Sequence, residues 1–312
     1  MMELATFEHT KAIEQKTIQA DLLKKFIAYL DTTPKTVESY SKALRQLFKF
    51  FYLKGIAQPK REDLIAFKEE LKASGHKPTT IQHYITTAKI FFRWTAQENY
   101  YPNIADHLKG AKIDREHKKD YLTSSQVKDL LSTIDRSTEQ GARDYAILAL
   151  MITGGLRDIE VSRATIGDLR TAGENTVLYV QGKGRQEKTE YVKISTPVEK
   201  ALRAYLKYRP MLIDSDPLFT SLSNNSKGKS LTTRSISGMV KSKLKQAGYN
   251  SDRLTAHSLR HTAVTLSLLA GKDITEVQMF ARHKNITTTM IYNHSLDKAK
   301  NTCSEAITQA IF

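Results

Sequence analysis

The segment His257-Ser258-Leu259-Arg260-His261-Thr262 lies in a region of helical character that follows Thr233 and carries the most distinctive pattern of the chain. His257 and Arg260 are three residues apart, so on a helix they point to one side, whereas His261 is expected to face elsewhere. An arginine binds a phosphate with two parallel N–H donors and a histidine binds it with one. Zinc is less favoured, because no Asp, Glu or Cys stands near these histidines with zinc-like spacing. Taken alone, the pair is equally well explained by a structural role.

Arg157 and Lys183 extend this cationic pattern towards the N-terminus. Arg157 follows an apolar helix predicted over residues 143–153 and a Gly-Gly break, so it is either part of a structural salt bridge or an anion-binding group. Glu160 stands three residues later on a helical turn, where it can orient the guanidinium. Lys183 lies between two glycines at a predicted hairpin tip. Glycines let a backbone approach DNA closely, and a lysine there could reach a leaving oxygen, although such a lysine is usually plain surface.

Tyr292 is a candidate nucleophile only if such cations lie beside it. A single tyrosine near the end of a chain normally packs, and a phenol with a reference pKa of about 10 is a poor nucleophile at neutral pH. A phosphodiester held by arginines, a lysine and histidines is a different target, because the cations offset the charge that builds on the phosphorane and favour the phenolate. His283, nine residues before Tyr292, completes that set. The order of these residues and their shared fit to phosphoryl transfer make the set specific.

The composition favours a polyanionic partner. The 312 residues include 48 Lys and Arg against 33 Asp and Glu, which gives a formal net charge of +15. Such a surplus attracts nucleic acid, although a basic enzyme with no such role could carry it too. Cys303 is the single cysteine, which excludes an intrachain disulfide and is compatible with a reducing cytoplasm. No signal-peptide core and no apolar run of bilayer length is present, so we expect a soluble cytoplasmic protein.

Residues 1–102 predict a compact helical domain. Apolar residues recur with helical spacing over residues 16–30, 34–52, 61–73 and 78–98, so four helices are expected. Their aromatic residues are better explained as core than as platforms for stacked bases. The basic residues on the polar faces could contact phosphates or simply be solvated; they are Lys35, Lys42, Arg45, Lys49, Lys77, Lys89 and Arg93.

The segment between the two predicted domains is also basic. Residues 103–120 predict a linker in which basic residues outnumber acidic ones and apolar residues are sparse. Such a linker can follow a phosphate backbone or act as a solvated tether. The further candidates for DNA contact are Lys109 and Lys112 in this linker, Arg185 in the hairpin and Arg282 beside His283.

The second predicted domain covers residues 121–312 and is helical apart from a β-hairpin. Its two strands, Thr176–Gln181 and Glu190–Ile194, alternate in polarity and bracket the segment Gly182-Lys183-Gly184-Arg185. A further strand within residues 212–220 is only weakly indicated. The expected fold class is therefore mainly α with a small β-sheet (α+β).

The ordered set resembles the tyrosine recombinase (phage integrase) family over nearly the whole chain. The family pattern is Arg-x-x-Glu, a hairpin Lys, His-x-x-Arg, a His or Trp, and a Tyr about nine residues later. The N-terminal module resembles the family's core-binding domain, and the size resembles both the Xer group and the compact recombinases of mobile elements. One departure is that Ala281-Arg282 stands where the family usually has Leu-Gly, so Arg282 could alter the turn or add a phosphate contact. The positions of the pattern are filled here by Arg157 with Glu160, Lys183, His257 with Arg260, His283 and Tyr292.

The resemblance implies a site-specific recombinase whose two domains clamp duplex DNA and which needs no metal or other cofactor. Tyr292 would attack the scissile phosphate, form a 3′-phosphotyrosyl link and free a 5′-hydroxyl, with Lys183 as the general acid. Glu160 would orient the cluster, and religation to a partner strand would pass through a Holliday junction. The groups that would bind the phosphate and stabilise its transition state are Arg157, Arg260, His257 and His283.

The resemblance also implies an assembly. The expected partner is double-stranded DNA with an inverted-repeat core site, bound by a homotetramer on two sites that forms from a monomer or weak dimer. The tail, residues 295–312, would dock in a neighbouring subunit, the alternative being that it packs on its own domain. An accessory protein and association with the nucleoid are further expectations, as is a role in dimer resolution or in integration and excision. The alternatives are a type IB topoisomerase-like enzyme that relaxes DNA and a non-catalytic DNA-binding protein.

Overall fold

The computed structural model describes residues 21–113, 120–182, 184–299 and 302–311, with side chains except at 294–299, 304 and 305. The chain divides into two compact units, residues 1–115 and 116–312. Each unit has its own hydrophobic core. The predicted fold class, mainly α with a small β-sheet, is confirmed.

The first unit is a helical module whose boundaries follow from local signals in the sequence. The Thr33 hydroxyl accepts the backbone N–H of Thr36, and Pro34 occupies the first turn of the helix that follows, where its missing N–H costs nothing. Phe91 packs edge-on against both Phe26 and Phe48, with ring centroids 5.3 and 5.4 Å away. The aromatic residues therefore form core, as predicted. The helices are α1 over residues 21–29, α2 Pro34–Leu53, α3 Arg61–Ala73 and α4 Pro78–Gln97.

Part of the segment predicted as a linker packs on this first unit. Ala105 and Leu108 are each 2% exposed and belong to its core. The Lys68 ammonium donates to the backbone oxygen of Lys109 over 3.3 Å, which ties the segment to α3. Residues 114–119 of the predicted linker lie outside the described residues. Ala105 and Leu108 therefore pack as part of the first unit, because they complete an apolar surface that the four helices leave open.

The second unit is built around one buried helix and a three-stranded antiparallel sheet. The central helix, α6 (Glu139–Thr153), buries nearly every residue from Gly141 to Ile152. The strands run in the order β1-β2-β3, and Leu178 of the middle strand lies opposite both Leu169 and Val192. The predicted hairpin corresponds to β2 and β3, and β1 is an additional strand. The strands are β1 Leu169–Ala172, β2 Asn175–Val180 and β3 Glu190–Lys193.

The weakly indicated strand at 212–220 does not form a ladder. In that segment Pro217 and Thr220 make only isolated bridges, to Thr165 and Ser230. The remaining helices of this unit are α5 Ser124–Ser132, α6 Glu139–Thr153, α7 Asp158–Arg163, α8 Thr196–Leu206, α9 Thr233–Gln246, α10 Ala256–Leu269, α11 Ile274–Ala281, α12 Ile286–Ala299 and α13 Cys303–Ile311.

The last helix, α13, is exposed wherever its side chains are described. Ile307 is 59% exposed and Ile311 is 68% exposed, although both are large and apolar. These two side chains lie four residues apart and therefore on one face of the helix. Across the part of the chain that the structure describes, no helix is both long enough and apolar enough to cross a membrane.

Candidate active site

Helix α10 carries the centre of the site and buries its arginine. Arg260 is 1% exposed, and its guanidinium donates to the backbone oxygen of Gly155 over 2.5 Å and to that of Ala281. These two carbonyls, which belong to the turns after α6 and α11, fix the orientation of the guanidinium. Burial, and then the neighbouring Arg157 and Arg282, lower the pKa of Arg260 to about 9, so the group is still charged at neutral pH.

The Gly154-Gly155 turn after α6 places a backbone carbonyl next to Arg260 and Arg282. Gly155 has a φ of +56°, and a Cβ there would lie 3.1 Å from the ring of Phe280. A left-handed backbone at this position is therefore strained for any residue with a side chain, and the space for one is already filled. The turn presents the oxygen of Gly155 to Arg260 and also to Arg282, 3.0 Å away.

Glu160 of α7 is the carboxylate on which two arginines converge. It is 1% exposed, and its two oxygens accept from the backbone N–H and the guanidinium of Arg157, each over 2.9 Å. Arg282 donates to it over 3.0 Å. Burial by itself raises the pKa of Glu160, but Arg282, the backbone N–H of Arg157, and the charges of Arg157 and Arg260 outweigh it, so the pKa is lowered below its usual value. Glu160 is thus an ionised acceptor for the guanidiniums of Arg157 and Arg282.

Arg282 takes a position that the sequence did not predict. It ends α11 with φ +53° in the left-handed region, and its side chain is only 5% exposed. Besides Glu160, its guanidinium contacts the backbone oxygens of Phe280, Gly154 and Gly155. The side chain expected to contact DNA therefore points inward and joins the cluster beneath Arg157. The left-handed turn explains why glycine suits this position, and the buried ion pair accounts for an arginine being held there.

His261 also departs from its predicted orientation. It was expected to face away from the site, yet it is 4% exposed and its Nδ1 is hydrogen-bonded to the hydroxyl of Tyr292. The ring of His257 meets it edge-on at 4.5 Å between centroids, because residues four apart share a helix face. The spacing of the two histidines could have revealed this. His257 itself is exposed at the rim of the site.

Tyr292 of α12 lies inside the cluster rather than on the surface. It is 7% exposed, and its ring is stacked at 6.3 Å on that of His283. Burial raises the pKa of Tyr292 to about 12, against the opposing effect of Arg260 and Arg157. Nδ1 of His283 is hydrogen-bonded to the Thr289 hydroxyl at 2.9 Å. Burial, followed by Arg260 and Arg157, lowers the pKa of His283 to about 4, so its ring is neutral at pH 7.

The other predicted site residues lie around or outside this cluster. Lys183 lies outside the described residues. Its neighbour Gly182 lies beside the cluster, since a Cβ on Gly182 would be 3.8 Å from Oε1 of Glu160. Arg185 pairs with Glu190 at 2.8 Å and is 32% exposed. An open depression of about 480 Å³ adjoins the cluster, and four cationic or imidazole side chains line it, Arg185, Arg282, His283 and Lys284.

The basic residues predicted to contact DNA in the first unit are distributed on two helices and the segment that follows them. Lys35, Lys42, Arg45 and Lys49 are exposed and form one stripe along α2. Lys42 pairs with Glu38 at 2.6 Å within that stripe. The others are Lys77, Arg93, Lys109 and Lys112, all exposed, and Lys89, which is half-buried.

Within residues 21–113, 120–182, 184–299 and 302–311, no three His, Cys, Asp or Glu side chains are grouped so that they could hold a metal ion.

Comparison with known proteins identifies the family over both units. The model described as "Phage integrase family" matches residues 120–299, and "Phage integrase, N-terminal SAM-like domain" matches residues 23–99. Tyrosine recombinase XerC of Herpetosiphon aurantiacus is 30% identical over 287 residues, which cover 89% of this chain and 92% of the relative. Tyrosine recombinase XerA of Pyrococcus horikoshii is 30% identical over 282 residues, covering 89% and 90%.

Solved structures share the fold at lower identity. The Tn1549 transposon integrase in complex with transposon right end DNA superposes with a TM-score of 0.69 at 22% identity, covering 88% of this chain and 94% of that one. The XerH site-specific recombinase bound to its palindromic difH substrate gives 0.72 at 21% identity, covering 86% and 80%. The two family models together match both units of the chain, and the two curated relatives are 30% identical over most of their length. The chain therefore belongs to the phage integrase family of tyrosine recombinases, the enzymes of site-specific DNA recombination.

Proposed function

We propose that this recombinase cleaves and rejoins duplex DNA through a covalent 3′-phosphotyrosyl link to Tyr292. The observation that carries the proposal is the burial of the Tyr292 hydroxyl in one cluster with Arg157, Arg260 and His283. Residues far apart in the chain converge there, and guanidiniums gathered in one buried cluster are costly unless negative charge offsets them. A phosphate is the group that such a cluster can bind and a phenol can attack.

Two of the side chains proposed to act on the phosphate are accessible to solvent, and two are buried. The side chain of Arg157 is 27% exposed, and His257 is exposed, so both can meet a phosphate that arrives at the rim. Arg260 and Arg282 lie deeper and supply positive potential beneath the phosphate. As the nucleophile attacks, negative charge grows on the phosphoryl oxygens, and this fixed positive potential stabilises it with no reorganisation. His283 is neutral at pH 7. When its Nδ1 accepts from the Thr289 hydroxyl, the ring proton lies on Nε2 and can be donated to the phosphate.

Lys183 is the proposed acid for the departing 5′-oxygen. Its role rests on the family resemblance, and the position of its neighbour Gly182 beside Glu160 supports it. A protonated lysine can donate to the leaving alkoxide as the P–O5′ bond breaks. No metal enters these steps, since the charge on the phosphate is met by side chains of the chain itself.

The proposed partner is double-stranded DNA with an inverted-repeat core site. The exposed stripe of Lys35, Lys42, Arg45 and Lys49 on α2 and the cationic depression beside the active site suit two stretches of phosphate backbone. The related XerH structure contains a palindromic site and the Tn1549 integrase structure contains transposon end DNA, which support this kind of partner. The protein would work in the cytoplasm, associated with the nucleoid.

A homotetramer on two DNA sites is the proposed active assembly, formed from a monomer or weak dimer. The exposed apolar residues Ile307 and Ile311 on α13 support the docking of this helix in a neighbouring subunit rather than on its own domain. An accessory protein can gate such an assembly.

The test uses nicked suicide substrates tiled from DNA that flanks the gene, with covalent product resolved on denaturing gels. Wild-type protein should give a shifted covalent band on one fragment, Tyr292→Phe should bind that fragment without attaching to it, and Tyr208→Phe should behave as wild type. Covalent product from Tyr292→Phe would refute the assignment of the nucleophile. Plasmid relaxation without strand exchange would favour a topoisomerase, and binding without any covalent product would favour a non-catalytic protein.

A further inference from the structure

The proposed reaction needs a group that removes the proton of Tyr292, and neither the arginines nor the proposed acid Lys183 can do this. With a pKa of about 12, Tyr292 is ionised in roughly one molecule in 10⁵ at pH 7. The cations of the site oppose the effect of burial but do not cancel it. A base in contact with the hydroxyl would remove this limit, because the proton could leave as the O–P bond forms.

His261 is the base that meets the hydroxyl. Its Nδ1 is hydrogen-bonded to the Tyr292 oxygen, and the two rings lie 5.1 Å apart between centroids at an angle of 40°. When the phenol O–H donates, Nδ1 accepts and Nε2 carries the ring proton, which is the tautomer a base requires. Both residues are buried, at 4% and 7% exposure, so water does not compete for this contact.

The two other histidines are placed for different partners. His257 is exposed at the rim and packs edge-on against His261, so it lies between the solvent and the base. His283 is stacked face to face with the ring of Tyr292, with planes only 18° apart. A histidine stacked on a phenol ring presents its face, and not a nitrogen lone pair, to that ring. The edge contact with the hydroxyl belongs to His261.

We propose that His261 is the general base for Tyr292, and this proposal rests on the proposed function. Nδ1 of His261 takes the phenolic proton while the Tyr292 oxygen forms its bond to phosphorus and the bond from phosphorus to O5′ breaks. The leaving O5′ takes a proton from the acid, proposed as Lys183. In religation the 5′-hydroxyl gives its proton to the acid's conjugate base, proposed as the neutral amine of Lys183, and attacks phosphorus; the O–P bond to Tyr292 breaks, and the imidazolium of His261 returns its proton to the phenol oxygen.

The charges of Arg260 and Arg157 act on the Tyr292 hydroxyl, and the carboxylate of Glu160 offsets part of this positive charge through its ion pair with Arg157. A bound phosphodiester adds the missing negative charge next to the base, so proton transfer becomes favourable when substrate occupies the site. Among the described groups, Arg260 and Arg157 act on Tyr292, His257 packs against the ring of His261, and His283 is stacked on the ring of Tyr292.

The experiment measures the single-turnover rate of covalent adduct formation on the suicide substrate identified above. His261→Ala and His261→Asn are compared with Ser267→Ala, which changes a hydroxyl on the same helix outside the cluster. Both His261 variants should lose about 10²- to 10⁴-fold in rate, and the control should keep the wild-type rate. The Asn side chain can accept the phenol hydrogen bond through its amide oxygen but cannot take the proton. Recovery of the wild-type rate by His261→Asn would therefore overturn the proposal in favour of positioning alone.

Two chemical rescues separate a base from a structural role. A fluorinated tyrosine of lower phenol pKa, incorporated at position 292, should restore much of the rate of His261→Ala at raised pH, because the nucleophile then ionises by itself. A substrate with a 5′-bridging phosphorothioate, whose leaving group needs no acid, should rescue Lys183→Ala and leave His261→Ala slow. Rescue of His261→Ala by the phosphorothioate, or no rescue by the fluorinated tyrosine, would overturn the proposal.

Wild-type protein in the same assay keeps the two hypotheses apart. Adduct from wild type together with an equally fast His261→Ala reaction would refute the base and leave the recombinase intact. Absence of adduct from wild type on every fragment would refute the proposed function, and the base with it.

Discussion

Replacement of Glu160 by glutamine tests whether one buried carboxylate holds the arginine cluster together. The substitution keeps the size and shape of the side chain but removes its charge. Arg157 and Arg282 lose their ionic partner, and Arg260 loses the nearby negative charge that favours its protonated form. Loss of one member of a buried ion pair typically costs 3–5 kcal/mol, because the remaining charges stay buried without compensation.

The expected loss is about 3 kcal/mol of unfolding free energy, since glutamine can still accept one of the hydrogen bonds and Arg157 is partly solvated. For a unit of this size each kcal/mol lowers the melting temperature by about 2–4 °C, so a decrease of roughly 6–12 °C is expected. The loss should also depend on pH. Because the pKa of Glu160 is lowered in the folded state, its stabilisation is complete above the ordinary value of 4.5 and is lost as the pH falls through the folded pKa.

Differential scanning calorimetry and chemical denaturation of the full chain measure this change. Trp94 is the single tryptophan and is buried in the first unit. Its fluorescence therefore follows the unfolding of the first unit only and does not measure the change expected in the second unit, which contains Glu160. The matched control is Glu276→Gln, which removes an exposed carboxylate that pairs with Lys272 at 3.3 Å in the same unit as Glu160. This exposed pair should contribute nothing that can be resolved.

Two results would refute the reasoning. If Glu160→Gln melted within 2 °C of the control (about 1 kcal/mol or less), the carboxylate would not be compensating the buried arginines. If the loss were unchanged on going from pH 7 to pH 3, it would come from packing and not from the charge of Glu160.

Three further predictions concern the left-handed arginine, the neutral histidine and the exposed tail helix. Arg282→Ala and Arg282→Gly both lose the ion pair with Glu160, but only glycine adopts the φ of +53° without strain. Chemical denaturation should therefore find the glycine variant more stable than the alanine variant by about 1 kcal/mol. Equal stabilities of the two variants would show that the backbone at this position is not strained. His283 has a pKa of about 4 in the folded protein, below the 6.5 of a free histidine, so the unfolded chain binds the proton first as the pH is lowered. The free energy of unfolding should therefore decrease as the pH is lowered from 6.5 to 4. Denaturation of His283→Gln should give a shallower decline over that interval, and an unchanged slope would assign it to other groups. Ile307→Glu with Ile311→Glu should leave the melting temperature unchanged, because both side chains are exposed, yet should prevent assembly on DNA in sedimentation experiments; a tetramer formed by this variant would exclude the tail as the link.

The sequence predicted the family, the fold class and the order of the chemical groups, and the comparisons confirm the first two. Helices such as α2 and α4 could be predicted because the apolar period, the caps and the prolines that define them are all local. The hairpin of β2 and β3 was visible for the same reason, since alternation and turn glycines lie within one short stretch. Strand β1 was missed because its four residues carry no such alternation, and pairing with Leu178 of β2 makes it a strand.

The positions of Arg282 and His261 show where local patterns stop being informative. The helical repeat contained the relation between His257 and His261, but it could not show that Tyr292 would face the second of them. Arg282 could lie on either side of its turn, and its partner Glu160 stands 122 residues earlier in the chain. The roles of the individual site residues in catalysis stay predictions.

The sequence by itself determined which chemical groups this protein carries, in which order, and on which kind of local element each one stands. Only the tertiary structure decided which of them meet: Arg260 with the carbonyl of Gly155, Arg282 with Glu160, and His261 with the hydroxyl of Tyr292. The physical reason is that helix and strand periods repeat within a few residues, whereas the burial of charge depends on long-range packing. Buried guanidiniums are stable only where that packing brings a carboxylate and backbone oxygens to them.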